Sequence, residues 1–381
     1  MADLAVLYTP AAGGQVLSAT CSPDGRHLAV WLNVGGAGQG QAKYRLELVR
    51  TTDGRRTGSF DTDARCIWWT ADSASVRFIR PADPALADVL KQVPYDVVAI
   101  DFASGREVVL GRIEKLRLYG VGSQPWLQAG SRLVYVEESG DTAIDNVATG
   151  AREQIASSVL QDVKGVSWEP PGPRFEGVAC SPVGPELAFA AYGAVGVREG
   201  ARRVAGIVKA DGSGLRVLDL PRSGKVLPPK KGASARLLAW APDGKQLALV
   251  QDGWPCIYDL ATDQARFVDR PAGLSEGYST TSGPCWSPSG KRLLFSVRST
   301  GSGIPIPEKE AEPSVLYVAD VATATIQATL EAPNAPMPTA PADDREATRQ
   351  ATLARPRDYG WLGEDRVLIV RRDAVLVMDV P

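Results

Sequence analysis

Histidine is nearly absent: the 381 residues contain one, His27. That shortage excludes zinc and copper sites built from several imidazoles. It also leaves a Ser-His-Asp hydrolase no base except His27. His27 follows the turn Asp24-Gly25-Arg26, where the matching phrases carry Gln246 and Arg292. It is therefore expected as an exposed strand residue beside a tight hairpin. There is no Cys-x-x-Cys pair. Cys21, Cys66, Cys180, Cys256 and Cys285 all fall in predicted strands and read as buried thiols rather than as disulfides or metal ligands. No apolar run approaches the roughly 20 residues that span a bilayer. The opening Met1–Tyr8 has neither the basic region nor the apolar length of a signal peptide. The formal net charge of -2 lacks the basic excess of a nucleic-acid binder. A cytoplasmic protein with no membrane or nucleic-acid partner is the expectation. The high Ala, Arg, Gly and Pro content suits a GC-rich bacterial genome.

What the chain does contain is a repeat. Its clearest copies are Cys21-Ser22-Pro23-Asp24-Gly25-Arg26, Trp240-Ala241-Pro242-Asp243-Gly244-Lys245 and Trp286-Ser287-Pro288-Ser289-Gly290-Lys291. Each is followed by an apolar strand. A weaker copy starts at Cys180, and degenerate ones start at Trp69, Trp126 and Trp361. In each phrase a strand ends in a turn: Pro fixes φ, Asp bonds back to its own backbone, and Gly accepts positive φ. A second hairpin lies downstream, as in Ile100-Asp101-Phe102-Ala103-Ser104-Gly105 and Tyr258-Asp259-Leu260-Ala261-Thr262-Asp263. Two hairpins make one four-stranded propeller blade. Taking Cys21, Trp69, Trp126, Cys180, Trp240, Trp286 and Trp361 as one column gives steps of 48, 57, 54, 60, 46 and 75. Seven columns predict an all-β, seven-bladed β-propeller of antiparallel blades, occupying residues 1–381 as one domain. The chain stops after the third strand of blade seven. Residues 4–8, Leu4-Ala5-Val6-Leu7-Tyr8, are expected to supply the missing fourth strand and close the ring, which removes open edges.

With these phrases the chain resembles the TolB-type and WD-repeat-like β-propellers, whose repeats read Trp-Ser-Pro-Asp-Gly-Lys before an apolar strand. The resemblance covers nearly the whole chain and concerns the fold. It departs from true WD repeats, since there is no Trp-Asp dipeptide and no Gly-His element. It is equally similar to the propeller half of prolyl-oligopeptidase-type enzymes, but the repeat takes up nearly the whole chain and an added α/β hydrolase half is not expected. TolB-like relatives imply that a cation in the central channel is conceivable. Propellers host enzymes, scaffolds and receptors alike, so the fold by itself assigns no activity.

Candidate chemistry is sparse. Asp101, Asp145, Asp259, Asp320 and Asp379 recur in the second hairpins. Each is read as opening a turn and accepting from backbone N–H groups two residues on. Gly35–Gly40 lacks the Lys-Ser/Thr of a phosphate loop and is read as a connection in blade one. The column tryptophans are read as packing between blades. Trp31, Trp168 and Trp254 lie outside the column and are candidates for surface contact. No catalytic residue, cofactor or metal ligand is assigned, and the protein is expected not to be an enzyme.

Loop length carries the remaining signal. The long segments are Asn33–Ala42, Arg80–Pro94, Ile155–Arg174, Leu220–Ser234, Asp269–Gly283, Arg298–Pro313 and Glu331–Pro356. All are expected to connect strands two to three or four to one, which places them on one face. Binding residues concentrate on such loops. Arg222, Lys225, Lys230, Lys231 and Arg236 form a basic stretch without an acid, and Arg345 and Arg349 sit in a charged segment of the 331–356 insertion. These seven are the expected partner-binding residues. The expectation is a non-catalytic protein-interaction scaffold, or a subunit of a larger assembly, that binds a protein partner through its loop-rich face. The alternative is a propeller enzyme or a binder of a small ligand (sugar, peptide or lactone) in the central channel.

Overall fold

The computed structural model describes residues 4–11, 14–35, 43–83, 93–116, 121–127, 131–162, 172–194, 201–220, 236–251, 253–271, 274, 278–280, 283–299, 314–332 and 358–381. These form seven antiparallel sheets in a ring. Blade 1 is β2 (Gln15–Cys21), β3 (His27–Asn33), β4 (Tyr44–Arg50) and β5 (Arg56–Phe60). Blade 2 is β6 (Arg65–Trp69), β7 (Ser75–Pro81), β8 (Val93–Asp101) and β9 (Glu107–Leu116). Blade 3 is β10 (Val121–Leu127), β11 (Arg132–Val136), β12 (Thr142–Asn146) and β13 (Arg152–Ile155). Blade 4 is β14 (Arg174–Cys180), β15 (Glu186–Ala194), β16 (Ala201–Lys209) and β17 (Arg216–Val217). Blade 5 is β18 (Arg236–Trp240), β19 (Gln246–Gln251), β20 (Trp254–Asp259) and β21 (Gln264–Phe267). In blade 6 the inner strand is split into β22 (Tyr278–Thr280) and β23 (Cys285–Trp286), both on β24 (Arg292–Ser299), followed by β25 (Ser314–Asp320) and β26 (Ile326–Ala332). Blade 7 is β27 (Asp358–Trp361), β28 (Arg366–Val370), β29 (Val375–Asp379) and, as its outer strand, β1 (Leu4–Tyr8). The fold is the seven-bladed propeller read from the repeat, closed by the N-terminal strand.

The turns form for the reasons their residues suggest. Asp24 accepts from the Arg26 N–H at 3.0 Å and Asp243 from the Lys245 N–H at 2.9 Å. Gly25 and Gly244 sit at φ 73° and 68°, where a side chain would be strained. In the second hairpins Asp101, Asp259 and Asp320 accept the N–H groups of Ser104, Thr262 and Thr323. Blade 3 corrects the reading of Asp145. There Asn146 makes the turn bonds, to the N–H groups of Ala148 and Thr149. Asp145 lies one residue earlier on the strand, so it points into the blade, buried, and accepts the Tyr135 hydroxyl at 2.7 Å. Strand alternation turns a one-residue offset into a change of face.

Seven apolar clusters fill the seven seams between neighbouring blades. The tryptophan column joins them. Trp69 donates its indole N–H to the Thr20 carbonyl, Trp240 to Ala179, Trp286 to Ala239 and Trp361 to Cys285, at 2.9–3.1 Å. Each acceptor lies one residue before the column position of the preceding blade. A buried aromatic thus fills its seam and ties two inner strands together. Cys21 and Cys180 have no such donor, so the 7/1 and 3/4 seams are held by packing and by bonds such as Val16 N–H to the Arg372 carbonyl and Phe175 N–H to the Gly140 carbonyl.

His27 is not the exposed residue that was expected. It is half-buried between blades 1 and 2, its ring 3.7 Å from the Phe102 ring centroid and 6.3 Å from that of Trp69. Its Nδ1 is buried with no hydrogen-bond partner among the described residues. The strand after the turn faces the next blade there, and Phe102 covers it. Desolvation holds the imidazole below its usual range, with Arg26 and Arg50 adding to the effect and Asp24 opposing it. A base depressed in the folded state contributes stability above its unfolded pKa and loses it as pH falls. Lowering the pH from 7 to 5 is therefore expected to destabilise the protein more than its His27→Gln variant. Denaturant unfolding at both pH values measures this, and equal losses in the two proteins contradict it.

Candidate functional site

The two faces of the ring differ. Connections from strand one to two are four to six residues long in every blade, as are those from three to four in blades 1–6; in blade 7 the fourth strand is β1. Several of these turns interlock. Asp24 N–H donates to Ser73 Oγ, and Glu364 accepts both the N–H and Oγ–H of Ser289. Val183 sits so close to Gly244 that a Cβ there would lie 2.3 Å from its Cγ2. The strand ends that flank the long connections 34–43, 82–92, 156–173, 218–235, 268–277, 300–313 and 333–357 lie on the opposite face. Blade 6 ends two residues later than expected, because β26 continues through Ala332.

The inner strands start on this loop-rich face, and six of the seven are irregular. Their pairing slips between Val16 and Ser18, Arg65 and Trp68, Val121 and Trp126, Phe175 and Gly177, and Arg236 and Ala239. In blade 6 the strand is interrupted between β22 and β23. Only β27 pairs without a shift. Bulges bend a strand and re-aim its side chains, and they concentrate at rims and functional sites. The bulge in blade 2 places Cys66 at φ 50°, a left-handed conformation that is uncommon for a residue with a side chain.

Nearer the short-turn face the channel is crossed on one side. Gln124 of blade 3 accepts the Trp240 N–H at 2.9 Å and donates to the Trp240 carbonyl at 3.3 Å. This clamp passes over blade 4 to reach blade 5, and β10 and β18 approach each other there. Blade 4 permits it through its small residues: Ala179, Ala188, Ala190 and Ala205 pack in the 4/5 seam. The clamp forms a floor on that side of the channel, below the loop-rich mouth.

Charged groups ring the mouth. Arg65 grips Asp63 through Nε and Nη2, the closest contact being 2.7 Å. Arg203 holds both oxygens of Glu176, which lies in the blade 4 bulge, and stacks 4.8 Å over the Tyr192 ring. Asp358 opens β27 on the channel wall. It touches solvent, but the surrounding protein strips enough water to hold its carboxyl above the usual range, against the Tyr359 N–H that favours its charge. Tyr359 donates to the Gly283 carbonyl and accepts the Ser296 N–H, joining blades 6 and 7. Desolvation pushes the inner-strand thiols Cys66 and Cys285 up to about 12, so both are protonated and poorly nucleophilic at neutral pH. All five cysteines are free, and Cys21, Cys66 and Cys285 are half-buried rather than buried. Among the described residues no three His, Cys, Asp or Glu side chains converge to hold a metal ion. No helix there is long and apolar enough to cross a membrane.

Of the expected partner-binding residues, Arg222, Lys225, Lys230, Lys231, Arg345 and Arg349 lie outside the described residues. Arg236 opens β18 and is described by its backbone alone. Among the candidate surface tryptophans, Trp254 is instead buried, donating to the Val268 carbonyl at 2.7 Å with Arg270 over its ring. Trp31 is half-buried, and Trp168 lies outside the described residues. The Gln124 clamp and the Asp63–Arg65 pair had no mark in the repeat, since both fall in its least regular copies.

No protein-family model matches the chain, and no curated protein matches it. Solved structures do. An oligogalacturonate lyase in complex with manganese aligns over 100% of this chain and 93% of its own, with 13% identity and a TM-score of 0.57. The oligogalacturonate lyase from Vibrio parahaemolyticus aligns over 99% and 93%, with 15% identity and a TM-score of 0.59. TolB from Acinetobacter baumannii aligns over 85% and 65%, with 14% identity and a TM-score of 0.45. The fold-level resemblance read from the repeats holds. The expectation that the protein is not an enzyme does not: two solved structures that align over nearly the whole chain are lyases. A ring of this architecture accommodates catalysis.

Proposed function

We propose that the protein works through its loop-rich face and binds a protein partner there. The observation that supports this reading is the difference between the faces. The strand ends that flank the long connections lie on one side, and the bulged inner strands open on that same side. The other face is a collar of short interlocked turns with little room for a recognition element. Loops carried on a rigid scaffold are the usual place for binding residues. The test replaces 221–235 and 333–356 by short Gly-Ser links, leaving β18 and β26 whole, and compares both proteins in affinity capture from source-cell lysate. Loss of a defined partner with an unchanged melting temperature supports the reading. Capture of the same partner by both forms overturns it.

The second reading places a small ligand or a reaction in the channel. The Gln124 clamp favours it, because a floor below the mouth converts a through-channel into a recess on that side. Asp358, whose carboxyl is held above the usual range, stands on the wall of that recess, and perturbed carboxyls in recesses are candidates for proton transfer.

A further inference from the structure

We propose that the corner where blades 1 and 2 meet on the loop-rich face binds a small oxyanion, a carboxylate or phosphate group, through Arg65 and Trp31. The four-residue link 61–64 carries Thr62 and Asp63 and leads into Arg65, the first residue of β6. Thr62 and Arg65 are each only 8% exposed. Three polar atoms at this corner are buried and have no hydrogen-bond partner among the described residues: Thr62 Oγ1, Arg65 Nη1 and Trp31 Nε1. Trp31 lies near the loop-rich end of β3. Its ring is 5.6 Å from that of Tyr44, at the loop-rich end of β4. Tyr44 in turn is close enough to act on the Arg65 charge, as is Tyr95 of β8. Trp31 packs on the same apolar cluster as Ala64, the residue before Arg65, so the indole and the 61–65 segment share this corner of the seam.

Every unmet atom in the group can donate, and two of the three can only donate. The nearby acceptors are already engaged: Arg65 occupies both oxygens of Asp63, and Arg45 bonds Asp61 at 2.7 Å. A buried donor left without a partner costs about 1–3 kcal/mol, so the corner is complete only when an acceptor enters. The pairing of Arg65 with Asp63 fixes the guanidinium plane and leaves Nη1 as its free corner. An oxygen-rich anion accepts from Nη1 and the indole N–H, and charge-assisted bonds of this kind are the stronger ones. The group does not depend on a protein partner at the same face, so this proposal and the functional reading fail separately.

The test titrates the full-length protein with sodium acetate and, separately, inorganic phosphate, against sodium chloride at matched ionic strength, and follows thermal unfolding. The expected result is a melting temperature that rises saturably with one oxyanion and not with chloride; the responding arm identifies carboxylate or phosphate. Arg65→Lys keeps the charge and the pairing with Asp63 but removes Nη1. It is expected to raise the half-saturating concentration at least about tenfold. Trp31→Phe removes the indole N–H, together with part of the ring, without touching any charge, and is expected to weaken the response in the same direction. It decides the matter if Arg65→Lys does not fold. No rise beyond chloride, or an equal rise in the variants, overturns the proposal and leaves ordered water as the partner of these donors.

Discussion

Removal of residues 1–8 is expected to destabilise the whole ring by about 5 kcal/mol or more, a large share of the 5–15 kcal/mol that holds a typical protein folded. The loss has three parts. Pairing of Leu4, Ala5, Val6 and Tyr8 with Met378, Val377, Leu376 and Val375 disappears, and β29 becomes an open edge. The tie to blade 1 disappears as well. Tyr8 donates its hydroxyl to Glu47 at 2.6 Å, and Glu47 is only 3% exposed. Without Tyr8 that buried carboxylate keeps Arg56, at 3.1 Å, as its remaining side-chain partner among the described residues. An under-satisfied buried charge costs more than the bond itself contributed. Finally, Gly54 packs so closely on β1 that a Cβ would lie 2.1 Å from the Leu7 carbonyl oxygen, and that contact is lost too. Leu4 and Val6 add little apolar burial, being 45% and 64% exposed, whereas Tyr8 and Leu7 pack in the 7/1 seam and their burial is lost as well. Tyr8→Phe separates the contributions and is expected to cost about 1–3 kcal/mol. Denaturant unfolding measures both variants. A deletion as stable as the parent would show that the ring does not need its closing strand.

Trp240→Ala is expected to cost about 3–5 kcal/mol, the range for a fully buried large aromatic. Trp240 is 2% exposed, fills the seam between blades 4 and 5, and donates to the Ala179 carbonyl at 2.9 Å. Truncation opens a cavity and leaves that carbonyl unpaired. Trp240→Phe keeps most of the packing and removes the donor, so about 1–2 kcal/mol of loss is expected. Trp126 supplies the contrast. It occupies the same column, with its ring edge-on to Trp68 at 5.9 Å and Arg77 over its face at 5.1 Å. Its indole N–H, however, is buried and has no partner among the described residues. Removing a donor that bonds nothing is close to neutral, so Trp126→Phe is expected to leave stability within about 0.5 kcal/mol of the parent. Equal losses for Trp126→Phe and Trp240→Phe would show that the column stabilises by packing alone and that the indole bonds contribute little. A second consequence concerns Gln124, which bonds the Trp240 backbone rather than its ring. The clamp therefore survives Trp240→Phe if the strand stays in place.

The fold was legible because its determinants are local and repeated. Ser-Pro-Asp-Gly makes a turn wherever it occurs, the alternation after it makes a strand, and the column at its start marks the inner strand of each blade. The missing fourth strand of blade 7 could be assigned to Leu4–Tyr8 by counting alone. The difference between faces followed from the same counting, because strand order decides on which side a connection emerges. These features need no knowledge of what lies across a seam.

Tertiary structure decided everything that depends on a neighbouring blade. His27 looked exposed on its own strand, yet Phe102 of the next blade covers it. Asp145 and Asn146 stand side by side in the sequence, and only the strand register shows which makes the turn and which is buried on Tyr135. Gln124 meets Trp240 across 116 positions because blade 4 is built from small residues. The unmet donors of Thr62, Arg65 and Trp31 come from two blades that share one corner. A repeat specifies how each unit folds on itself. Packing between units, and with it the chemistry at the channel mouth, is set by side chains far apart in the chain that meet only when the ring closes.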